Sequence, residues 1–263
     1  MSNLAKDLTE LSRKAGQPGA DLTIQAEGNA AVFDRDNGKF LVKASGVIMG
    51  NANEEDWVWL ELDSCVEILE AARKDGSSEK LTTELNAILA ASMNAKGEVR
   101  KASIETLVHV VAFHTMGVDW SLHTHPTPVV ALAASKDGAK HYSGTVFPDE
   151  AVMCGPVPLF LPFANPGLDL GLGVYEGVLE YQQKHGRNPG QIILGNHGLC
   201  TFGVGAREAL GTTEIAVKAA KIRLGALGAG GILFVPNGAA EAIAFRPDEI
   251  LRKRILARED STK

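Results

Sequence analysis

Apolar residues along the chain alternate between two spacings, one near 3.6 and one of two, so helices and strands are interleaved throughout. Leu4, Leu8 and Leu11 share a helical face that Pro18-Gly19 closes. Residues 22–33 read as a strand. Asp36-Asn37-Gly38 is a turn, and residues 39–42 return as the second strand of a hairpin. The run Trp57-Val58-Trp59-Leu60 marks a strand over 57–62, followed by a helix over 64–74. Leu81, Leu85, Ile88 and Leu89 mark an amphipathic helix over 77–93.

Residues 103–114 are predicted helical with Ser103 as N-cap. A strand over 121–125 is stopped by Pro126 and Pro128. A short helix over 129–135, a strand over 157–161 and a helix over 168–185 come next. A buried strand over 191–194 runs into Asn196-His197-Gly198. The last long helix is predicted over 207–227, before a glycine-rich turn and a C-terminal piece around 247–257. Some strands are joined by hairpins and others by helices. That mixture predicts an α/β fold, a single domain over 1–263 with a mixed, mostly antiparallel central sheet flanked by helices.

Composition narrows the function classes. With 45% hydrophobic residues in 263, the chain has material for a full core. A formal net charge of −6 without a basic block argues against nucleic acid or an anionic membrane as partner. Three cysteines, Cys65, Cys154 and Cys200, lack CxxC spacing, which excludes a disulfide framework and fits a reducing compartment. Met1 to Asp7 carries charge where a signal peptide needs an apolar core, and no apolar run is long enough to span a bilayer, so cytoplasmic placement is expected.

The most informative chemistry is His123-Thr124-His125 with Asn196-His197-Gly198. Side chains two apart on a strand leave on one face, so the first two imidazoles point at one place, and a third can approach from a second strand end. Three neutral imidazoles with one position open suit a catalytic zinc, whereas structural zinc sites are closed and rich in cysteine. Manganese, cobalt and iron also accept such ligands, and three unrelated histidines are the plainer reading. Glu105, near a helix N-terminus, is a fourth ligand, a general base, or a carboxylate complementing the helix dipole. His109, one helical turn on, can orient it or simply pack. Gly28-Asn29, Ser45-Gly46 and Ser103 sit at turns or helix starts whose N–H groups suit an anion, with Lys43 as a nearby positive charge. Each pair is also an ordinary turn.

The order Gly28-Asn29, Lys43-Ala44-Ser45-Gly46, Ser103-Ile104-Glu105, His123-Thr124-His125 and Asn196-His197-Gly198 resembles the class II aldolase/adducin superfamily over about residues 5–230. That superfamily includes the L-fuculose- and L-rhamnulose-phosphate aldolases. The Ser-Ile-Glu-Thr stretch is most similar to the aldolase domain of bifunctional rhamnulose-phosphate aldolase/dehydrogenases, without the dehydrogenase part. The resemblance implies one zinc, or another divalent transition metal, per subunit on His123, His125 and His197. It implies Glu105 as base and ligand of the empty metal, and Asn29, Ser45, Gly46 and Ser103 lining a phosphate pocket. Family members use a tyrosine about twenty residues beyond the first metal histidine as a proton donor reaching an adjacent subunit, and Tyr142 stands nineteen beyond His123. Cyclic tetramers are implied as well.

Two departures matter. Fuculose-type members have Pro-Ser-Ser-Glu where this chain has Ala102-Ser103-Ile104-Glu105, so one phosphate-binding hydroxyl is absent. Residues 246–263 have no clear match in the family.

The implied activity is zinc-dependent cleavage of a ketose 1-phosphate of rhamnulose or fuculose type. The products are dihydroxyacetone phosphate and a short aldehyde, formed through a metal-bound enediolate. Relatives with the same metal site are epimerases, dehydratases or decarboxylases, and an adducin-like head would be a non-catalytic interaction domain.

Overall fold

The computed structural model describes residues 4–258. Seven strands form one open sheet: β1 (Asn29–Asp34), β2 (Lys39–Lys43), β3 (Trp57–Glu61), β4 (Trp120–Thr124), β5 (Leu159–Leu161), β6 (Gln191–Leu194) and β7 (Gly198–Gly203). Their order is β3-β2-β1-β4-β7-β6-β5, and only the β5–β6 pair is parallel. The expected α/β class with a mostly antiparallel sheet is therefore what the chain forms. The ends of the expected 1–263 domain, and the reading that rests on Met1 to Asn3, lie outside the described residues.

Helices cover both faces. Long α1 (Leu4–Ala15) and α9 (Ala206–Gly228) pack together against β1, β4 and β7. On β7, Thr201 faces α9 through its hydroxyl bond to the Ala209 carbonyl at 3.0 Å. Its neighbour Cys200 therefore faces the other side. There α2 (Leu62–Asp75), α3 (Glu79–Ala90), α4 (Thr106–Val111) and α8 (Leu168–His185) form the second layer. Trp57, Phe40, Leu69, Leu85, Leu107 and Leu122 are fully buried between the layers.

Three expectations are corrected and one strand is added. β1 begins at Asn29 rather than 22, because residues 21–28 turn sharply, with positive φ at Asp21, Gln25 and Gly28. The helix expected over 77–93 is capped by Ser78 and ends at Ala90, and Met93 instead bridges to Trp59. Ser103 is not an N-cap: that position falls to Glu105, and after α4 the helix widens into a π-helical stretch, Ala112–Met116. β7 was hidden behind the Asn-His-Gly motif.

Short helices α5 (Thr127–Ala133), α6 (Gly138–His141), α7 (Pro148–Cys154) and α10 (Asn237–Ala244) complete the chain with α11 (Pro247–Arg258). α5 is the helix expected near 129–135; α6, α7 and α10 have too few apolar positions to show a period. Helices α6 and α7 are fastened to α9 by a fully buried ion pair. Arg223 of α9 reaches Glu150 of α7 at 2.8 Å and donates to the carbonyls of His141 at 2.8 Å and Gly144 at 2.6 Å. Glu150 also accepts from the Val146 amide at 2.8 Å. No helix among the described residues is long and apolar enough to cross a membrane.

Candidate metal centre

β4 is a central strand, buried on both faces, and Pro126 ends it by removing a ladder donor. His125 stands just beyond the strand, its amide bonded to the Leu22 carbonyl at 2.8 Å. Across the sheet the register places Asn29, His123 and Cys200 in one row on the face that α4 covers. His197 comes from the tight β6–β7 turn, in which its amide bonds the Leu194 carbonyl at 3.1 Å. Asn196 adopts φ 53° there, a left-handed conformation that asparagine tolerates. Gly198 has no alternative: a β-carbon would lie 2.5 Å from the Thr124 oxygen and 2.8 Å from the His125 ring. That close approach explains the glycine of the Asn-His-Gly motif.

One donor atom from each of Glu105, His123, His125 and His197 lies within 4.8 Å of the others. The Nε2 atoms of His123 and His125 are 2.9 Å apart, and His197 Nε2 is 2.8 Å from Glu105 Oε1. Two imidazole lone pairs at 2.9 Å repel unless a proton or cation lies between them. His123 donates through Nδ1 to the Leu199 carbonyl at 3.1 Å, which leaves its Nε2 lone pair facing the cluster. Three imidazoles and a carboxylate converging on one point fit a divalent transition metal. Glu105 makes no cap bond to its helix, and its side chain turns to the histidines. Burial alone would raise its pKa, but the charge and hydrogen bonds of His123 and His197 hold the carboxyl far below the usual range.

His109 lies under this cluster. Its Nδ1 is 2.7 Å from Ser121 Oγ, and its Nε2 meets Asn29 Oδ1 closely. Asn29 in turn donates through Nδ2 to Glu105 at 2.9 Å and Ser103 Oγ at 3.2 Å. The chain Ser121–His109–Asn29–Glu105 thus fixes the carboxylate with a neutral imidazole. Burial, aided by the His123 charge and opposed by Glu105, lowers the His109 pKa to about 3. The unfolded chain therefore takes up this proton near pH 6.5, well before the folded one does. The stability from neutral His109 is complete above pH 6.5 and disappears as pH falls through about 3. In chelator-treated protein, wild type should lose up to ~1.4 kcal/mol per pH unit more than His109→Gln across this window, seen in urea titrations. Parallel curves for the two proteins would refute the assignment.

Two expected site residues are engaged within the chain itself. Lys43 does not offer its charge to an anion: it is buried and donates to the carbonyls of Ala26 at 2.9 Å and Val47 at 2.6 Å. Burial lowers its pKa to about 8, against the pull of Glu105 and Asp56. It clamps the two loops that carry Gly28 and Ser45-Gly46. Tyr142 is buried in its own chain, its ring stacked near Phe160 and 5.0 Å from the Arg223 guanidinium, its hydroxyl 3.4 Å from the Val129 carbonyl. Within this chain the hydroxyl is turned inward, so Tyr142 is packed as a core residue. Burial also raises its pKa.

Of the remaining residues, Ser45 and Gly46 are exposed at a turn, with Gly46 at φ 80°, and Ser103 is buried against Asn29. Gly28 packs where a β-carbon would meet the His123 carbonyl at 2.9 Å. Glu27 and His109 complete the surroundings. The turn at 21–28 concealed Glu27 from a sequence reading, since nothing in its spacing links it to His125.

The fold and the clustered histidines are those of one family that holds both aldolases and adducin. The chain matches the family described as Class II Aldolase and Adducin N-terminal domain over residues 6–224, and it belongs to that family. Among solved structures it is similar to an L-fuculose 1-phosphate aldolase, with 20% identity, TM-score 0.70, and coverage of 93% of this chain and 95% of the other. It is also similar to YgbL from Escherichia coli, a candidate aldolase, epimerase or decarboxylase, at 18% identity and TM-score 0.67, covering 92% and 97%. L-fuculose-1-phosphate aldolase from Thermus thermophilus gives 20% identity and TM-score 0.59, covering 89% and 100%. No protein of curated function matches the chain.

Proposed function

We propose that this protein is a zinc-dependent carbon–carbon lyase. It would cleave a ketose 1-phosphate of rhamnulose or fuculose type to dihydroxyacetone phosphate and a short aldehyde, as a cytoplasmic homo-oligomer, a tetramer by analogy. The convergence of His123, His125, His197 and Glu105 carries this reading. When bound, the divalent ion supplies electron withdrawal from the substrate carbonyl, which lowers the cost of negative charge on the adjacent carbon.

The chain's own groups divide the remaining work. Glu105, held ionised and aimed by Asn29, takes the proton of the C4 hydroxyl. The C3–C4 bond then breaks, its electron pair staying on C3 while C4 becomes the aldehyde carbon. With Tyr142 in the core, Glu105 itself returns that proton to C3, so no second acid is needed. The Ser45 and Ser103 hydroxyls with the backbone around Gly28 and Gly46 take the phosphate, on loops that Lys43 holds together.

Release of dihydroxyacetone phosphate from a panel of ketose 1-phosphates, with and without chelator, tests the proposal. Chelator-sensitive release from one sugar is the expected result. Stoichiometric zinc without any release would instead favour epimerase, dehydratase or decarboxylase chemistry at the same residues. A protein without metal would favour an adducin-like interaction domain.

A further inference from the structure

The three cluster histidines differ in what stands behind them. His123 has a backbone carbonyl at its Nδ1, and the buried Nδ1 of His197 has no partner. His125 alone has a carboxylate there: Glu27 Oε2 at 3.2 Å. The other oxygen of Glu27 accepts from the Ile24 amide at 2.6 Å, so neither the carboxylate nor its rotamer is free. Both flanks of Glu27 are fixed as well. Ala26 is bound through its carbonyl by buried Lys43, and Gly28 is packed under the His123 carbonyl. The loop is tied at its far end by Leu22 to the His125 amide and by Asp21 to Thr127 Oγ1 at 2.7 Å.

We infer that Glu27 is the positioning residue of the metal centre. It holds the His125 ring by accepting a hydrogen bond from its Nδ1–H, which would leave the Nε2 lone pair for an ion. A carboxylate behind a ligating imidazole fixes its tautomer and raises its basicity. His125 needs this most. It lies beyond the end of β4, and its side chain is 19% exposed where that of His123 is fully buried. The inference rests on the metal reading above.

The test is zinc affinity of the chelator-stripped full chain, measured by competition with a chromophoric chelator, beside the melting temperature of the metal-free protein. Glu27→Ala should bind zinc ~10–100-fold more weakly than wild type, with Glu27→Gln, which keeps one acceptor oxygen, in between. Thr127→Val serves as a loop control, since it removes the Asp21 tie without touching His125, and it should keep wild-type affinity. Affinity of Glu27→Ala within twofold of wild type would overturn the inference. So would an equal loss in Thr127→Val, which would assign the effect to loop order. Wild-type protein that binds no zinc would overturn the metal reading itself and this inference with it.

Discussion

Replacing His197 with alanine is expected to remove stoichiometric metal and catalysis together while leaving the fold intact. The ring hangs from a hairpin turn, and its Nδ1 has no hydrogen-bond partner. Its side-chain contacts are the 2.8 Å approach to Glu105 and edge-on packing against the His123 and His125 rings, so the substitution removes little that holds the chain together. On the proposed function, what disappears is a metal ligand. Losing the ion removes several kcal/mol of charge stabilisation, a fall of ~10³-fold or more in turnover. Metal content by mass spectrometry, activity and the circular-dichroism melt, measured on one preparation, check all three parts. Retained zinc and full activity in His197→Ala would remove it from the site.

The second large effect concerns stability. Arg223 and Glu150 are both fully buried, and one guanidinium nitrogen, Nη1, already lacks a partner. Removing one member strands the other as an uncompensated charge in a low-dielectric interior. Glu150→Gln or Arg223→Met should each destabilise the protein by about 3–5 kcal/mol in urea unfolding. Arg223 also holds the His141 and Gly144 carbonyls, so its loss should loosen residues 141–146 in hydrogen exchange. The double replacement should cost less than the sum of the singles, because it leaves no orphaned charge. Single variants within ~0.5 kcal/mol of wild type would show that the pair is dispensable.

The sequence carried the long helices and the interior strands because each has enough residues to display a period. The helix over Leu168–His185 and the strand over Gln191–Leu194 have the bounds that their spacing predicts. Turns were harder. The chain from Asp21 to Gly28 contains apolar residues at strand-like spacing, yet three positive φ angles bend it around His125. β7 consists of Gly198-Leu199-Cys200-Thr201-Phe202-Gly203, where two glycines and no strict alternation hide a strand.

The histidines and Glu105 were legible as a constellation because their types and spacing carry chemistry. Lys43 and Tyr142 were not. A lysine or tyrosine reads the same whether its polar end faces a ligand or a neighbouring carbonyl, and only the packing distinguishes the two. Glu27 and the Ser121–His109–Asn29 chain depend on contacts across 98 and 80 positions, for which one sequence has no local signal.

The four donors also have a mechanical meaning. They come from a helix start at residue 105, a strand end at 123–125 and a hairpin turn at 197, with 92 positions (197 − 105) separating the outermost pair. An ion held among them would act as a crosslink between three parts of the chain that unfolding must separate. Resistance to heat would then rise with the logarithm of free metal concentration, by about 2.7 kcal/mol at a hundred times the dissociation constant. In such a protein, scarcity of metal is felt as fragility as well as idleness, and the empty chain is the form that proteases meet.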